Sequence, residues 1–291
     1  MRLMVGIPAL NEELTIANVI QRVPTSIPGV GEVSCVVIDD GSQDKTSVLA
    51  LDAGASVIRH TTNLGLGAAF RSTVTEALLR GVDILVTIDG DGQFNPEDIP
   101  TLIQPILDHQ AQVCTASRFA DPALIPEMLW IKKWGNHRVA ALVSSLIGER
   151  LHDVSCGFRA YSREALLRMT VYHSFTYTHE TLLDLANKHL SITEVPLSVR
   201  GSREFGESRV ASNVLSYGWR TTLIMLRFYR DNYPIRLCAY LSFPPIVLGL
   251  VLLTISFVYL LQTSVWLRWA ALGGGFLVGV AVSILFFGFD L

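Results

Sequence analysis

Four polar stretches stand at the ends of short apolar runs. They are Pro8-Ala9-Leu10-Asn11-Glu12, Asp39-Asp40-Gly41-Ser42-Gln43-Asp44, Asp89-Gly90-Asp91-Gly92-Gln93 and Ser117-Arg118. The third carries two carboxylates and an amide, Asp89, Asp91 and Gln93. Such an all-oxygen set suits a hard cation, Mg2+ or Mn2+, and usually completes its shell with phosphate oxygens from a substrate. Asp89 and Asp91 are two residues apart, so on a regular strand they point the same way, and Gly90 between them lets the backbone turn tightly. An acidic loop taken alone is as readily a helix cap. Four polar strand ends, two of them acidic pairs, are poorly explained as caps and point to one shared rim.

The elements that must position these groups follow from hydrophobic spacing. Leu3–Pro8 is a short apolar run. Glu12–Val23 places Ile16, Val19, Ile20 and Val23 on one helical face, and Asn11 with Glu12-Glu13 predicts a capped helix start. Val33–Asp39 is a nearly continuous β-branched run, as in a strand buried on both faces. Helices are predicted over Asp44–Ala53, Gly67–Arg80 and Pro96–Asp108, and extended segments over Ser56–Arg59, Ile84–Asp89 and Gln112–Ser117. This βαβα order implies an α/β fold, a mainly parallel sheet with helices on both faces. Ligands of such sheets bind beyond the carboxyl ends of the strands.

Composition excludes several classes. Half of the 291 residues are hydrophobic, 17% are charged and the mean hydropathy is +0.39, too apolar for a disordered chain or an ordinary soluble enzyme. A net charge of −3 gives no support to nucleic-acid binding. The four cysteines form no CxxC pair and read as free buried thiols in a reducing compartment. The first residues do not read as a signal peptide. Counted as an EF-hand from Asp89, the third stretch puts Phe94 at the glycine position and Pro100 at the glutamate position, so it is not one. Asn63-Leu64-Gly65-Leu66-Gly67-Ala68-Ala69-Phe70 contains GxG before a helix but lacks the third glycine, which argues against a dinucleotide-binding fold.

The apolar residues concentrate at the C-terminus. From Leu237 to Leu291 the only charged side chains are Arg268 and Asp290. Leu237–Leu261 and Trp269–Phe289 are each long enough to span a bilayer, with a turn at Gln262–Arg268. Pro244-Pro245 suggests that the first helix begins there, with Ile235–Ser242 at the interface. Val214–Tyr233 mixes apolar residues with Arg220, Arg227 and Arg230 and reads as an amphipathic surface helix. Basic residues before the first span, against a lone arginine in the turn, put the body on the cytoplasmic side of the cell membrane. The expected domains are 1–210, a juxtamembrane helix over 211–236 and a two-helix hairpin over 237–291.

The residues also carry a resemblance. Pro8–Glu12, Val36–Asp44, Asn63–Ala69, Thr87–Gln93 and Ala116-Ser117-Arg118 resemble the inverting GT-A glycosyltransferases of family 2. Asp153-Val154-Ser155-Cys156-Gly157-Phe158-Arg159, Val195-Pro196 and Gly206-Glu207-Ser208-Arg209 are similar to its polyprenyl-phosphate hexosyltransferase branch, the dolichol-phosphate mannose synthases among them. The resemblance implies a Rossmann-like GT-A catalytic domain with a transmembrane hairpin. It implies transfer of a hexose from a nucleotide sugar, GDP-mannose first and UDP-glucose second, to polyprenyl phosphate at the membrane. Pro8, Leu10, Glu12, Ile38 and Asp40 would hold the nucleoside. Asp89, Asp91 and Gln93 would hold Mg2+ or Mn2+ on the diphosphate, with Gly90 in close backbone contact. Arg203 and Arg209 would close over the donor phosphates, and Arg118, Lys132 and Asn136 would take the lipid phosphate. Two departures are Cys156, inside what is often Ser-Gly-Phe, and Arg209, where lysine is common. Oligomerisation stays open.

Other readings compete with this one. A processive polysaccharide synthase would need more spans and a QxxRW motif, and the nearest match, Gln262–Trp269, has five residues between Gln and Arg. A family 2 enzyme with another lipid or polysaccharide acceptor is an alternative. So is a non-catalytic nucleotide-sugar-binding membrane scaffold, although that would have no use for the metal carboxylates.

Overall fold

The computed structural model describes all residues except 127, 129, 149, 172–176, 201–221, 224–225, 228 and 288–291. The chain divides into two compact units, Met1–Thr221 and Thr222–Leu291.

The first unit is built on a seven-stranded sheet. Its strands are β1 (Arg2–Ala9), β2 (Glu32–Asp39), β3 (Ser56–Arg59), β4 (Ile84–Thr87), β5 (Val113–Ser117), β6 (Arg159–Ser162) and β7 (Ile192–Pro196), in spatial order β3-β2-β1-β4-β6-β5-β7. All pairs are parallel except those of β6, which runs antiparallel to both β4 and β5. The reversal at β6 restores direction at β5, so the carboxyl ends of β1, β2, β4 and β5 lie on one edge. The mainly parallel sheet is therefore present, with one inverted strand that hydrophobic spacing does not reveal.

Helices α1 (Ile16–Gln21), α2 (Thr46–Asp52), α3 (Leu66–Leu79), α4 (Ile99–Leu107), α5 (Trp130–Ile147), α6 (Arg163–Arg168) and α7 (Thr178–Asn187) complete the unit. Strand alternation sorts the core into two layers. Leu3, Val5 and Ile7 pack with Val19 and Ile20 of α1 and Leu102 and Ile103 of α4. On the other face Phe70 of α3 stacks on Tyr177 at 3.9 Å between centroids and tilts against Tyr161 of β6. Burial there is complete enough to enclose Arg159. Its guanidinium donates to Thr115 Oγ1, Thr181 Oγ1 and the carbonyls of Val154 and Thr178.

Several boundaries differ from the sequence expectation. Helix α1 begins at Ile16, not at Glu12, because Asn11 sits at φ +49° and spends its polar groups on the neighbouring turn. Asn11 N–H donates to Ser42 Oγ, and Asn11 Oδ1 accepts from Gln43 N–H. Strand β4 ends at Thr87, so Asp89 and Asp91 lie in a turn and strand alternation does not orient them. The left-handed residue of that turn is Gly92 (φ +73°), not Gly90.

In the second unit, residues 222–223, 226–227 and 229–232 are helical, and the rest of the amphipathic helix expected over Val214–Tyr233, residues 214–221, 224–225 and 228, lies outside the described residues. Two helices follow, Pro234–Thr263 and Arg268–Phe287, both long and apolar enough to cross a membrane. The first runs unbroken through Pro244 and Pro245, against the expectation of a start there. Pro234 occupies its first turn instead, and Pro244 and Pro245 are accommodated inside a long apolar helix. The pair packs backbone to backbone: a Cβ on Gly249 would stand 2.8 Å from the Gly274 oxygen, and one on Gly274 2.7 Å from the Gly249 oxygen. Close approach of small residues is how helices associate where no hydrophobic effect separates them.

His179 of α7 is buried, and burial together with the Arg159 charge pushes its pKa down to about 4. The folded imidazole is thus neutral where an unfolded one, with a pKa near 6.5, is charged. Between those values the unfolded chain binds the extra proton, so stability falls as pH drops through that window, by about 1 kcal/mol per pH unit. Thermal unfolding of the detergent-purified protein is expected at lower temperature at pH 5 than at pH 7, with a smaller pH dependence in His179→Gln. Equal dependence in the two proteins would remove this group as a contributor.

Candidate active site

The expected nucleoside residues meet at the ends of β1 and β2. Pro8 and Ile38 face each other in register and are buried, and Asp40 N–H donates to the Ala9 oxygen at 2.9 Å. Leu10 and Glu12 are half-buried on the following loop, with Glu12 N–H donating to Thr46 Oγ1 at 2.8 Å. The Asp40 carboxylate accepts from His60 Nδ1 (2.7 Å), Leu64 N–H (3.0 Å) and Gly65 N–H (2.8 Å). The glycine loop before α3 is thereby fastened to Asp40. Beside it Asp39 accepts from Ser42 N–H and Ser47 Oγ. Burial works to raise its pKa, but these bonds and the Arg59 charge outweigh burial and hold it below the usual carboxylate range.

The acidic turn after β4 is tied to the same edge. Thr15 Oγ1 donates to the Gly90 oxygen at 2.6 Å. A Cβ on Gly90 would point at Ile16, Ile7 and Ala9, so packing against the core accounts for its lack of a side chain. Buried Asp91 accepts from Gln93 N–H at 3.0 Å. Gln93 pairs with the segment after β7, accepting from Arg200 N–H (3.0 Å) and donating through Nε2 to the Arg200 oxygen (3.2 Å). Among the described residues no three His, Cys, Asp or Glu side chains stand together as a metal cluster. The protein offers two carboxylates and an amide, a set that fits Mg2+ or Mn2+ held jointly with phosphate oxygens and does not fit a zinc cage.

At the end of β5 Arg118 forms a two-pronged pair with buried Asp153, at 2.6 and 2.9 Å, and donates to Ser155 Oγ at 2.8 Å. Ser155 Oγ donates to Asn136 Oδ1 at 2.8 Å, and Asn136 Nδ2 donates to the His152 oxygen. Arg118 and Asn136, expected from sequence at an acceptor phosphate, thus belong to one hydrogen-bonded cluster. Burial would raise the Asp153 pKa, but the Arg118 guanidinium beside it holds it below normal. Lys132 precedes Asn136 by one turn of α5, and its side chain lies outside the described residues. Arg203 and Arg209 also lie outside them.

Sequence spacing gives no role to Gly157. Its carbonyl accepts from Thr87 Oγ1 (2.9 Å) and Tyr177 Oη (3.2 Å), which presses its Cα against Asp89. A Cβ there would stand 3.3 Å from both Asp89 carboxylate oxygens and from Tyr177 Oη. Burial, and then the Asp89 charge, pushes the Tyr177 phenol well up. Asp153, Ser155 and Gly157 share the stretch 153–159, whose only signal is its resemblance to family sequences. Tyr177 has no signal at all.

A sheet of this topology, with an acidic turn at its carboxyl edge, is that of the GT-A glycosyltransferases. The model of glycosyl transferase family 2 matches residues 4–170, and the chain belongs to that family. The polyprenol monophosphomannose synthase of Mycolicibacterium smegmatis is 29% identical to it, over 73% of this chain and 82% of that one. The UDP-N-acetylglucosamine–dolichyl-phosphate N-acetylglucosaminyltransferase of Methanococcus voltae is 29% identical over 76% and 94%. The structure of glucosyl-3-phosphoglycerate synthase from Mycobacterium tuberculosis with Mn2+ and UDP-glucose superposes with a TM-score of 0.61 at 23% identity, covering 78% of each chain, which shows the shared fold.

Gly157→Ala is expected to displace Asp89 by a few tenths of an ångström and to lower transferase turnover roughly 10- to 100-fold. Thermal unfolding should be little changed, because Gly157 is not among the glycines with positive φ. Full turnover in the alanine variant would show that this contact is slack.

Proposed function

We propose that the chain catalyses the inverting, divalent-metal-dependent transfer of one hexose from a nucleotide sugar to polyprenyl phosphate at the cytoplasmic face of a membrane. The observation that carries this reading is the joint presence, along one sheet edge, of the acidic turn Asp89–Gln93 and the Arg118–Ser155–Asn136 cluster, in a chain with two membrane-length helices. The relatives named for polyprenol and dolichyl phosphates support the acceptor class. GDP-mannose is the first candidate donor and UDP-glucose the second. The proposed division is catalytic over 1–210, juxtamembrane over 211–236 and anchoring over 237–291.

A phosphate monoester is mostly a dianion at neutral pH, so its oxygen can attack the anomeric carbon without a strong general base. That carbon–oxygen bond forms as the bond to the nucleoside diphosphate breaks on the opposite face, which inverts the configuration. The difficult term is the charge left on the departing diphosphate. The metal, when bound, supplies Lewis-acid neutralisation of that charge. In this mechanism Asp89, Asp91 and Gln93 hold it, and Arg203 and Arg209 add positive charge to the same leaving group. Pro8, Leu10, Glu12, Ile38 and Asp40 seat the nucleoside. Asp40 already accepts three bonds, which leaves it about one acceptor position for a base or ribose donor. Arg118, Lys132 and Asn136 receive the acceptor phosphate.

Purified protein incubated with polyprenyl phosphate and a panel of radiolabelled nucleotide sugars should give a chloroform-soluble product with one donor. Asp91→Ala should lower its formation roughly 100-fold or more while membrane insertion is retained. Unchanged turnover in that variant would remove the metal assignment, and a water-soluble product from every donor would remove the acceptor.

A further inference from the structure

Strand β7 carries one carboxylate, Glu194, whose side chain is only 8% exposed. A carboxylate so nearly enclosed must be met by donors, and both of its oxygens are. Oε1 accepts from two consecutive backbone amides, His152 N–H at 2.8 Å and Asp153 N–H at 2.7 Å. Oε2 meets His152 Nδ1 at 2.7 Å, and because a carboxylate only accepts, Nδ1 carries the proton. The His152 oxygen is held from elsewhere, by Asn136 Nδ2 at 3.0 Å. His152 is thereby fixed at its N–H, its ring and its carbonyl.

This clamp leads to the Arg118 fork. Asp153, whose amide Glu194 holds, accepts from Arg118 at the backbone N–H (3.2 Å), Nε (2.6 Å) and Nη2 (2.9 Å). Glu194 is itself anchored in the sheet, opposite Thr115 of β5, three residues before Arg118. A continuous chain of bonds therefore runs from the sheet through Glu194 and the 152–153 turn to the guanidinium. The residue type has an electrostatic cost, since it sets a second carboxylate close to buried Asp153. What it secures is orientation, because charge-assisted bonds to two successive amides hold the turn more firmly than a neutral acceptor would.

We propose that Glu194 is a positioning residue for the acceptor phosphate: through the His152–Asp153 turn it sets where the Arg118 guanidinium stands. The inference rests on the assignment of Arg118 and Asn136 to that phosphate made above, and it is independent of the sugar and the metal. Glu194 acts through Arg118 and does not itself touch the phosphate. A guanidinium shifted by a fraction of an ångström offers its donors in the wrong directions, so the loss falls on the acceptor and spares the nucleotide sugar.

The full chain in detergent is assayed with polyprenyl phosphate and the productive nucleotide sugar, each varied while the other is saturating. Glu194→Ala should raise the acceptor KM about 10-fold or more and leave the donor KM within about two-fold. Glu194→Gln should return the acceptor KM to within about three-fold of wild type, because its amide oxygen accepts from both N–H groups and its NH2 can donate to His152 Nδ1 in the other tautomer. Arg118→Lys keeps the charge and loses the fork, so it should raise the acceptor KM by itself, and adding Glu194→Ala to it should change that value by about two-fold or less. Glu194→Asp, one methylene shorter, should behave as the alanine variant does and decides the question if that variant does not fold. Equal rises in both KM values, a fall in kcat alone, or full additivity with Arg118→Lys would each overturn the proposal and leave Glu194 a support of the fold. If the wild type forms no polyprenyl-linked product, or Arg118→Lys leaves the acceptor KM unchanged, the reading of the site fails and takes this inference with it. If both of those hold and neither Glu194→Ala nor Glu194→Asp moves the acceptor KM, only the present inference fails.

Discussion

Crowding of negative charge along one edge of the sheet is the constraint from which the rest of this structure follows. Parallel strands that end together bring Asp39, Asp40, Asp89 and Asp91 to that edge, and the loop before β6 adds Asp153. Like charges at such spacing disfavour ionisation unless each is compensated. The chain meets that requirement differently at each position. Asp39 is stabilised by hydroxyl and amide donors with Arg59 at a distance, Asp40 by His60 and two loop amides, and Asp153 by a two-pronged arginine. Asp91 has a backbone amide within its own turn. The Asp89 charge, after burial, in turn drives up the pKa of the Tyr177 phenol.

The same reasoning divides what could be read from the amino-acid sequence from what could not. Strands β1, β2, β3, β4 and β5 and helix α3 were legible because each buries a face and therefore keeps a period. The polar ends were legible because carboxylates after an apolar run are uncommon enough to notice. Strand β6 was not. It is four residues long and opens with a buried arginine, and it is a strand only because β4 and β5 flank it in the opposite direction. The start of α1 was misplaced because Asn11 and Glu12 serve the β2 turn through space, which no local capping rule registers. In the site, residue types announced the oxygen ligands, but the need for glycine at 157 is a distance to Asp89 across two strands and is invisible in one dimension. The prolines of the first long helix show the opposite: their local propensity favours a helix start, and the length of the apolar helix overrides it.

Arg159 shows how the buried side of the edge is kept rigid. An enclosed guanidinium is costly unless its donors are satisfied. Here the acceptors are a strand hydroxyl on Thr115, the carbonyls of Val154 and Thr178, and Thr181 on α7. These partners come from β5, from the loop carrying Asp153 and Ser155, and from the helix that follows Tyr177. A single side chain therefore fixes, relative to one another, the segments that hold Arg118 and press Gly157 against Asp89. Replacing it by an apolar residue of similar bulk would free four acceptors at once.

The two units obey different solvents, and the packing rules change accordingly. In the first, stability comes from apolar layers on both faces of a sheet, and small residues serve where a core side chain or a carboxylate comes close, as at Gly90 and Gly157. In the second, lipid and leucine are equally apolar, hydrophobic burial drives no association, and the helices meet where Gly249 and Gly274 let their backbones touch. A reaction that joins a water-soluble sugar donor to a lipid phosphate works between these two environments. The donor is charged and water-soluble, whereas the acceptor's hydrocarbon cannot leave the bilayer. The chain reflects this by leaving only one arginine and one aspartate in its last 55 residues.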